Sequence, residues 1–217
     1  TNAQLKSIDT SNCKILEELN IMGCVSLTGN IDLSKNGIIR KVFAGGSSAS
    51  SITLPNGGVL EELHLGEVSD IEILNQTNLT TYDCSSYAKL SALRVENTPA
   101  VPTMEIVAER LPYLTGGLRL VGIDETIEDT SVLEMLISDD AKGKYVDNNG
   151  TLSDNKTLYP YISGTVHCNS IGSYLKNQLN AVYPYLTVDA GTVIEQFVVE
   201  FRNYDGALLH RQFILRG

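Results

Sequence analysis

The sequence predicts an α/β stack of short parallel strands, with helices along one side and a β-hairpin at the end. Two observations carry that expectation: one apolar phrase recurs along the chain, and its copies keep a common step. A third, Asp205-Gly206 between two β-rich runs, supplies the hairpin, because Asp-Gly favours the tight turn that joins two strands.

The clearest copy of the phrase places Leu16, Leu19, Ile21 and Cys24 in the spacing LxxLxLxxC. Related copies run through Leu60, Leu63 and Leu65, through Leu79, Tyr82 and Cys84, through Leu90, Leu93 and Val95, and through Leu114, Leu118 and Leu120. The central triplet reads as a three-residue strand. Side chains alternate along a strand, so its outer two point inward and its middle one points out. Aligned this way, the cores fall into two series. One starts at Ile8, Ile31, Ile52, Ile71, Leu93 and Leu118, with steps of 23, 21, 19, 22 and 25. The other starts at Leu19, Val42, Leu63 and Tyr82, with steps of 23, 21 and 19. Shared steps mean that both series belong to one coil of about 22 residues, inside the range of leucine-rich repeats. The expected fold is therefore an irregular leucine-rich-repeat solenoid of short parallel strands, with some helices on the convex side.

The helices replace the second series. Residues 103–111 have helical periodicity and stop at Pro112, and residues 131–137 and 171–182 look similar. The first series continues at Val166 and Leu186. The gap of 48 residues from Leu118 to Val166 counts as two coils, with a polar insertion from Asp139 to Lys156 that reads as an exposed loop. One continuous sheet of about eight strands, roughly 35 Å long, is expected. The solenoid spans 1–190. Residues 191–217 form a hairpin that either caps it or opens a following domain.

Composition narrows the function. Sixteen Lys and Arg against 26 Asp and Glu give a net charge of −10, which repels nucleic-acid phosphates and anionic membranes. No apolar run is long enough to span a bilayer. The chain opens at Thr1 without a Met or signal peptide and reads as a piece of a longer protein. Cys13, Cys24, Cys84 and Cys168 lack CxxC spacing and are expected to be small buried thiols.

The residues resemble a known family. LxxLxLxxC copies ending in Cys resemble leucine-rich-repeat proteins, and the coil at Ser51–Pro55 is similar to irregular surface repeats of gut and oral bacteria. The phrases Ile162–His167, Tyr183–Val188 and Phe201–Leu209 resemble leucine-rich-repeat segments of tail and baseplate virion proteins from phages and prophages of gut bacteria. In those proteins Phe-x-x-x-Asp-Gly hairpins follow the solenoid. The resemblance implies a non-catalytic structural and interaction module of a phage tail or baseplate, located in the virion, that presents a solenoid β-face for protein binding. The alternative is a bacterial cell-surface or secreted adhesin that recognises a host protein or glycan. Neither brings catalytic residues, a metal or a cofactor. A protein partner is expected first and a glycan second, with no nucleic acid and no membrane insertion; no residue pattern assigns an oligomeric state.

Local motifs add no chemistry. His64, His167 and His210 are too scattered for a metal motif, and His64 and His167 sit at outward strand positions as surface residues. No GxSxG elbow occurs. Gly45-Gly46-Ser47-Ser48 lacks the phosphate-loop Lys, and Gly116-Gly117 with Gly122 precedes a strand where a dinucleotide site needs a helix. Asp139, Asp140 and the run 147–150 offer clustered oxygens for calcium but miss the EF-hand spacing and read as a solvated loop. The sequons at Asn78 and Asn155 matter only in a eukaryotic secretory setting. A carbohydrate-active enzyme needs an acidic pair and aromatic platforms, and the absence of Trp and of an aromatic strip argues against one. What remains is a surface. Outward positions of the first series read Asp9, Asp32, Thr53, Glu72, Arg94, Arg119, His167 and Thr187, an acidic half followed by a basic one. Glu72, Arg94, Arg119 and His167 are the candidate binding residues on this ridge, where repeat proteins bind partners.

Overall fold

The computed structural model describes residues 4–147 and 150–216. The first strands in chain order are β1 (Glu18–Asn20), β2 (Thr28–Asp32), β3 (Lys41–Phe43) and β4 (Ser48–Thr53). They are followed by β5 (Glu62–Leu65), β6 (Asp70–Leu74), β7 (Thr81–Cys84) and β8 (Ala92–Glu96). Strands and helices then alternate: α1 (Thr103–Arg110), β9 (Gly117–Ile127), α2 (Ser131–Leu136), β10 (Tyr161–Gly172), α3 (Ser173–Val182) and β11 (Leu186–Ile194). The chain closes with β12 (Gln196–Arg202) and β13 (Leu208–Leu215).

Among the described residues the strands pair mostly in parallel, and no sheet closes as a barrel. One sheet has the order β1-β3-β5-β7 and another β11-β10-β9-β8-β6, while β2-β4 and β12-β13 form separate pairs. The ladders join the residues whose spacing repeats: Leu19 to Val42, Leu63 and Tyr82, and Ile71 to Leu93 and Leu118. These side chains face one shared core, and all but the partly buried Tyr82 are buried. Each buried Leu, Ile or Val contributes about 1.5–3 kcal/mol, and a one-residue slip would turn its whole strand's set outward. Register is thus set by burial.

The helices pack in the succession α1, α2, α3, with α1 against β9 and α3 against β10 and β11. Pro102 offers no side-chain cap to α1. Instead the carboxylate of Glu125, on β9, accepts the backbone N–H groups of Thr103 and Met104, each at 2.9 Å. Gln196 does the same for α3, where its Oε1 accepts the Leu175 N–H at 3.0 Å. Its own backbone N–H donates to Ser173 Oγ at 3.1 Å, tying the hairpin to that helix. β11 runs through the expected boundary at residue 190, and the hairpin proper begins at Gln196.

Five expectations need correction. The eight-stranded continuous sheet is not formed: Ile8 lies outside any strand, and β2-β4 is separate from the five-stranded sheet. The break falls at the shortest step, Ile52 to Ile71, next to Pro55, which has no N–H to donate. The gap from Leu118 to Val166 holds one step and not two, because β9 pairs directly with β10, Leu120 opposite Ile162. β9, β10 and β11 also run 11, 12 and 9 residues, well beyond a triplet. The insertion is a docked flap more than a free loop: Leu118 N–H donates to the Lys144 carbonyl at 2.7 Å, and Ala141 and Val146 are buried. Gly117 admits Val146, whose Cγ2 would lie 2.0 Å from a Cβ there. Finally, Cys24 and Cys168 are buried, but Cys13 is exposed in a turn and Cys84 is half-buried; all four are free thiols.

The β9–β10 ladder shifts between Ile162 and Gly164, at a bulge. Gly164 has φ +119°, and a Cβ would sit 2.2 Å from the Ile123 carbonyl oxygen. Any other residue must open the ladder. Gly164→Ala should lower stability by about 2 kcal/mol or more in urea unfolding, whereas Gly37→Ala, with open space around it, should change it by about 0.5 kcal/mol or less. Glu125→Ala, which uncaps α1, should cost about 1 kcal/mol in the same measurement.

Candidate functional site

The exposed face of the five-stranded sheet brings three of the four candidate residues together. Alternation along β6, β8 and β9 turns Glu72, Arg94 and Arg119 outward, and the ladder places them side by side, Glu72 opposite Arg94 and Arg94 opposite Arg119. Two neighbouring guanidinium groups repel unless a carboxylate lies between them. Glu96, the next outward residue of β8, supplies it. Its Oε1 accepts from Arg94 Nε at 2.9 Å and from Arg119 Nε at 2.8 Å, and Arg94 Nη1 lies 3.4 Å from Glu72 Oε2. The side chains of Arg94, Arg119 and Glu96 are only 20, 13 and 17% exposed, so the cluster is largely shielded from solvent. Burial pushes the Glu96 carboxyl up, but the bonds from Arg119 and Arg94 and their charges outweigh it, leaving the group below the usual carboxylate range. The flap overhangs this row, and a cleft of about 180 Å3 lies between Glu72, Arg94, Gly117, Val146 and Gly150.

The row continues differently from the expectation. Opposite Arg119 stands Tyr161, not His167. The Arg119 guanidinium lies 4.7 Å above the Tyr161 ring, and the Tyr185 ring follows at 5.7 Å. His167 is displaced along the strand because β9 and β10 are adjacent and the bulge advances the register; it sits opposite Thr126 and Asp189. Thr187 likewise faces Thr165, and Asp32 and Thr53 pair on the separate β2-β4 ladder. The ridge is therefore a shorter row, Glu72, Arg94, Arg119, Tyr161, with its arginines neutralised.

His167 is clamped between two carboxylates. Nε2 lies 3.0 Å from Asp124 Oδ1 and Nδ1 3.0 Å from Asp189 Oδ2. Two ionised acceptors are both satisfied only by the charged ring, which donates from each nitrogen. The bonds from Asp124 and then Asp189 outweigh slight desolvation and raise the imidazole above its ordinary value. At its outward position the His64 ring stacks on Phe43 at 5.1 Å and lies 3.8 Å from Asp83. His210 pairs with Phe201 in the hairpin at 5.9 Å.

Two of the carboxylates considered for calcium make local bonds. Lys142 donates to Asp139 at 2.5 Å, and Asp147 accepts the Thr151 N–H at 2.8 Å. Asn148 and Asn149 lie outside the described residues. Among the described residues no group of three His, Cys, Asp or Glu side chains is placed to hold a metal ion, and no helix is long and apolar enough to cross a membrane.

Two features escaped the sequence reading. Glu96 was visible as the second outward residue of an alternating strand. The other is an aromatic strip, which the sequence was expected to lack: Tyr145, Tyr159, Tyr161, Tyr183 and Tyr185 line one groove of about 420 Å3. Its signal was the pair of Tyr-Pro-Tyr triplets at 159–161 and 183–185. Comparison with family models, curated proteins and solved structures finds no match to this chain.

The two charged clusters respond to pH in opposite senses. The raised His167 group contributes stability that is fully present below the unfolded value of about 6.5 and is lost as pH rises through the folded value. The depressed Glu96 group contributes above the ordinary carboxylate value, and that contribution is lost as pH falls through the folded one. In NMR titrations Asp124→Asn and Asp189→Asn should each bring His167 down toward its ordinary value. Glu96→Gln should cost about 1–2 kcal/mol at neutral pH, with the difference from wild type shrinking in acid. A His167 titration unmoved by either Asp variant would contradict the clamp.

Proposed function

We propose that this chain is a non-catalytic structural and interaction module, an irregular leucine-rich-repeat solenoid that binds a protein partner through the exposed face of its five-stranded sheet. The observation that carries the reading is the row Glu72, Arg94, Arg119 and Tyr161. Four neighbouring strands each set a long side chain on one outward line, and Glu96 locks the two arginines in place. Arg and Tyr are the side chains that most often anchor protein interfaces. Holding them in position beforehand spares the entropy of ordering them on binding. The repeat steps of the two parallel ladders support the solenoid reading.

The mechanism is presentation of a preformed face, with no bond made or broken. The clamped ring of His167 keeps no free nitrogen lone pair for a general base, and each arginine already has a carboxylate partner. The setting we propose is a phage tail or baseplate assembly of gut bacteria, on the resemblance of the phrases from Ile162 to Leu209.

Binding of the labelled chain to intact gut bacterial cells tests the reading, alongside an Arg94→Gln/Arg119→Gln variant whose fold is checked by circular dichroism. Saturable binding is expected that protease treatment of the cells abolishes and that weakens about tenfold or more in the variant. Equal binding by a folded variant would remove the sheet face from the account. Turnover of any member of a peptide or glycan panel would contradict the non-catalytic reading.

A further inference from the structure

The first Tyr-Pro-Tyr triplet ends on Tyr161, the first residue of β10, and the second lies at the turn into β11. Because those strands are parallel neighbours, the triplets come to lie side by side, and with Tyr145 from the flap they gather five of the chain's ten tyrosines in one open groove. Tyr159 and Tyr183 form its floor, edge to face at 6.0 Å, with their hydroxyls donating to the carbonyls of Ile137 and Leu136. Tyr161 and Tyr185 form a wall of rings tilted by 30°, and Tyr185 is 65% exposed. Pro184 sits in a turn that Leu186 N–H closes by donating to the Tyr183 carbonyl at 3.0 Å, and Pro160 leads directly into β10. Among the described residues no Asp or Glu lines the groove, although the chain carries a net charge of −10. Two basic side chains border it, each with a carboxylate partner: Arg119 over Tyr161, paired with Glu96, and Lys142 Nζ 5.8 Å from the Tyr159 ring, paired with the exposed Asp139.

We propose that this groove binds a proline-containing segment of the partner protein, in the polyproline II conformation and flanked by acidic residues. The proposal rests on the reading of the chain as a protein-binding module and adds the chemistry of what it binds. Proline rings pack flat against tyrosine walls, and a polyproline II segment is ordered before it binds, so little entropy is lost. Its carbonyls, free of internal hydrogen bonds, accept from the wall hydroxyls of Tyr161 and Tyr185, since those of Tyr159 and Tyr183 already donate to backbone carbonyls. A sugar would need side-chain carboxylates or amides to meet its many hydroxyls. Among the described residues the lining offers none, only tyrosine hydroxyls and Thr157 beside apolar side chains. The charge at the rim selects the flank. Lys142 is held by Asp139, whose side chain is 93% exposed, and so weakly paired a cation is open to exchange for a ligand carboxylate.

Isothermal titration with an oligoproline peptide ending in aspartates tests this, against an oligoalanine counterpart, a lysine-ended counterpart and a chitooligosaccharide. The aspartate-ended oligoproline should bind, the alanine peptide should not, and the lysine-ended one should bind more weakly, with the gap closing at high salt. Tyr185→Ala, at an exposed position, should weaken binding about tenfold, and Tyr185→Phe, which keeps the ring, should retain most of it. Binding that Tyr185→Ala leaves unchanged, preference for the chitooligosaccharide, or no peptide binding by a folded chain would each overturn the proposal. If the peptides fail while cell binding still depends on Arg94 and Arg119, the groove assignment falls and the sheet-face reading stands. If the peptide binds the groove while cell binding ignores those arginines, the reverse holds.

Discussion

The structure depends on the in-register stacking of inward apolar side chains at a step close to 22 residues. Leu19, Val42 and Leu63 lie in line on one sheet, and Ile71, Leu93 and Leu118 on the other, all of them facing a common core. Each strand is too short to be stable by itself, so its position comes from neighbours above and below. Parallel pairing needs a long return connection, and the chain meets that need by crossing to the opposite layer and back. Strands make the crossing in the first half and helices in the second. Both solutions bury the same face.

The outward surface follows from the inward one. Once Ile71, Leu93 and Leu118 are in register, Glu72, Arg94 and Arg119 must be neighbours, whatever their charges. Two adjacent arginines would cost stability without Glu96, and with it they become a rigid, nearly neutral cluster. A stacked sheet thus turns a one-dimensional spacing into a fixed pattern of side chains on its surface. The same logic aligns Asp124, His167 and Asp189 across β9, β10 and β11, and brings the two Tyr-Pro-Tyr triplets side by side.

Much of the stacking was legible in the sequence because alternation and step size are local quantities. The registers of Leu19 with Val42 and of Leu93 with Leu118, the three helices, and the hairpin at Asp205-Gly206 all follow from spacing and turn chemistry. The misplaced end of the outward row has one source. Val166 has the right neighbours for a repeat, so the 48 residues from Leu118 counted as two steps, whereas the partner of β9 begins at Tyr161, after Pro160. A bulge at Gly164 then shifted the register, and His167 left the row. Bulges and docked flaps are tertiary events: nothing within a few residues of Gly164 records that Ile123 will press against it. Glu125 and Gln196 were hidden for a similar reason, since each caps a helix more than twenty residues earlier in the chain. The aromatic groove was half visible, as two Tyr-Pro-Tyr phrases, but its rings converge only because β10 and β11 are neighbours.

The β9–β10 register decides which side chains share the face, and interstrand nuclear Overhauser contacts measure it directly. The account predicts backbone contacts linking Arg119 with Tyr161, Thr126 with His167, and Thr165 with Thr187. Contacts linking Arg119 with His167, or Leu118 with Val166, would contradict it, break the row at Arg119, and separate the tyrosines from the arginine cluster.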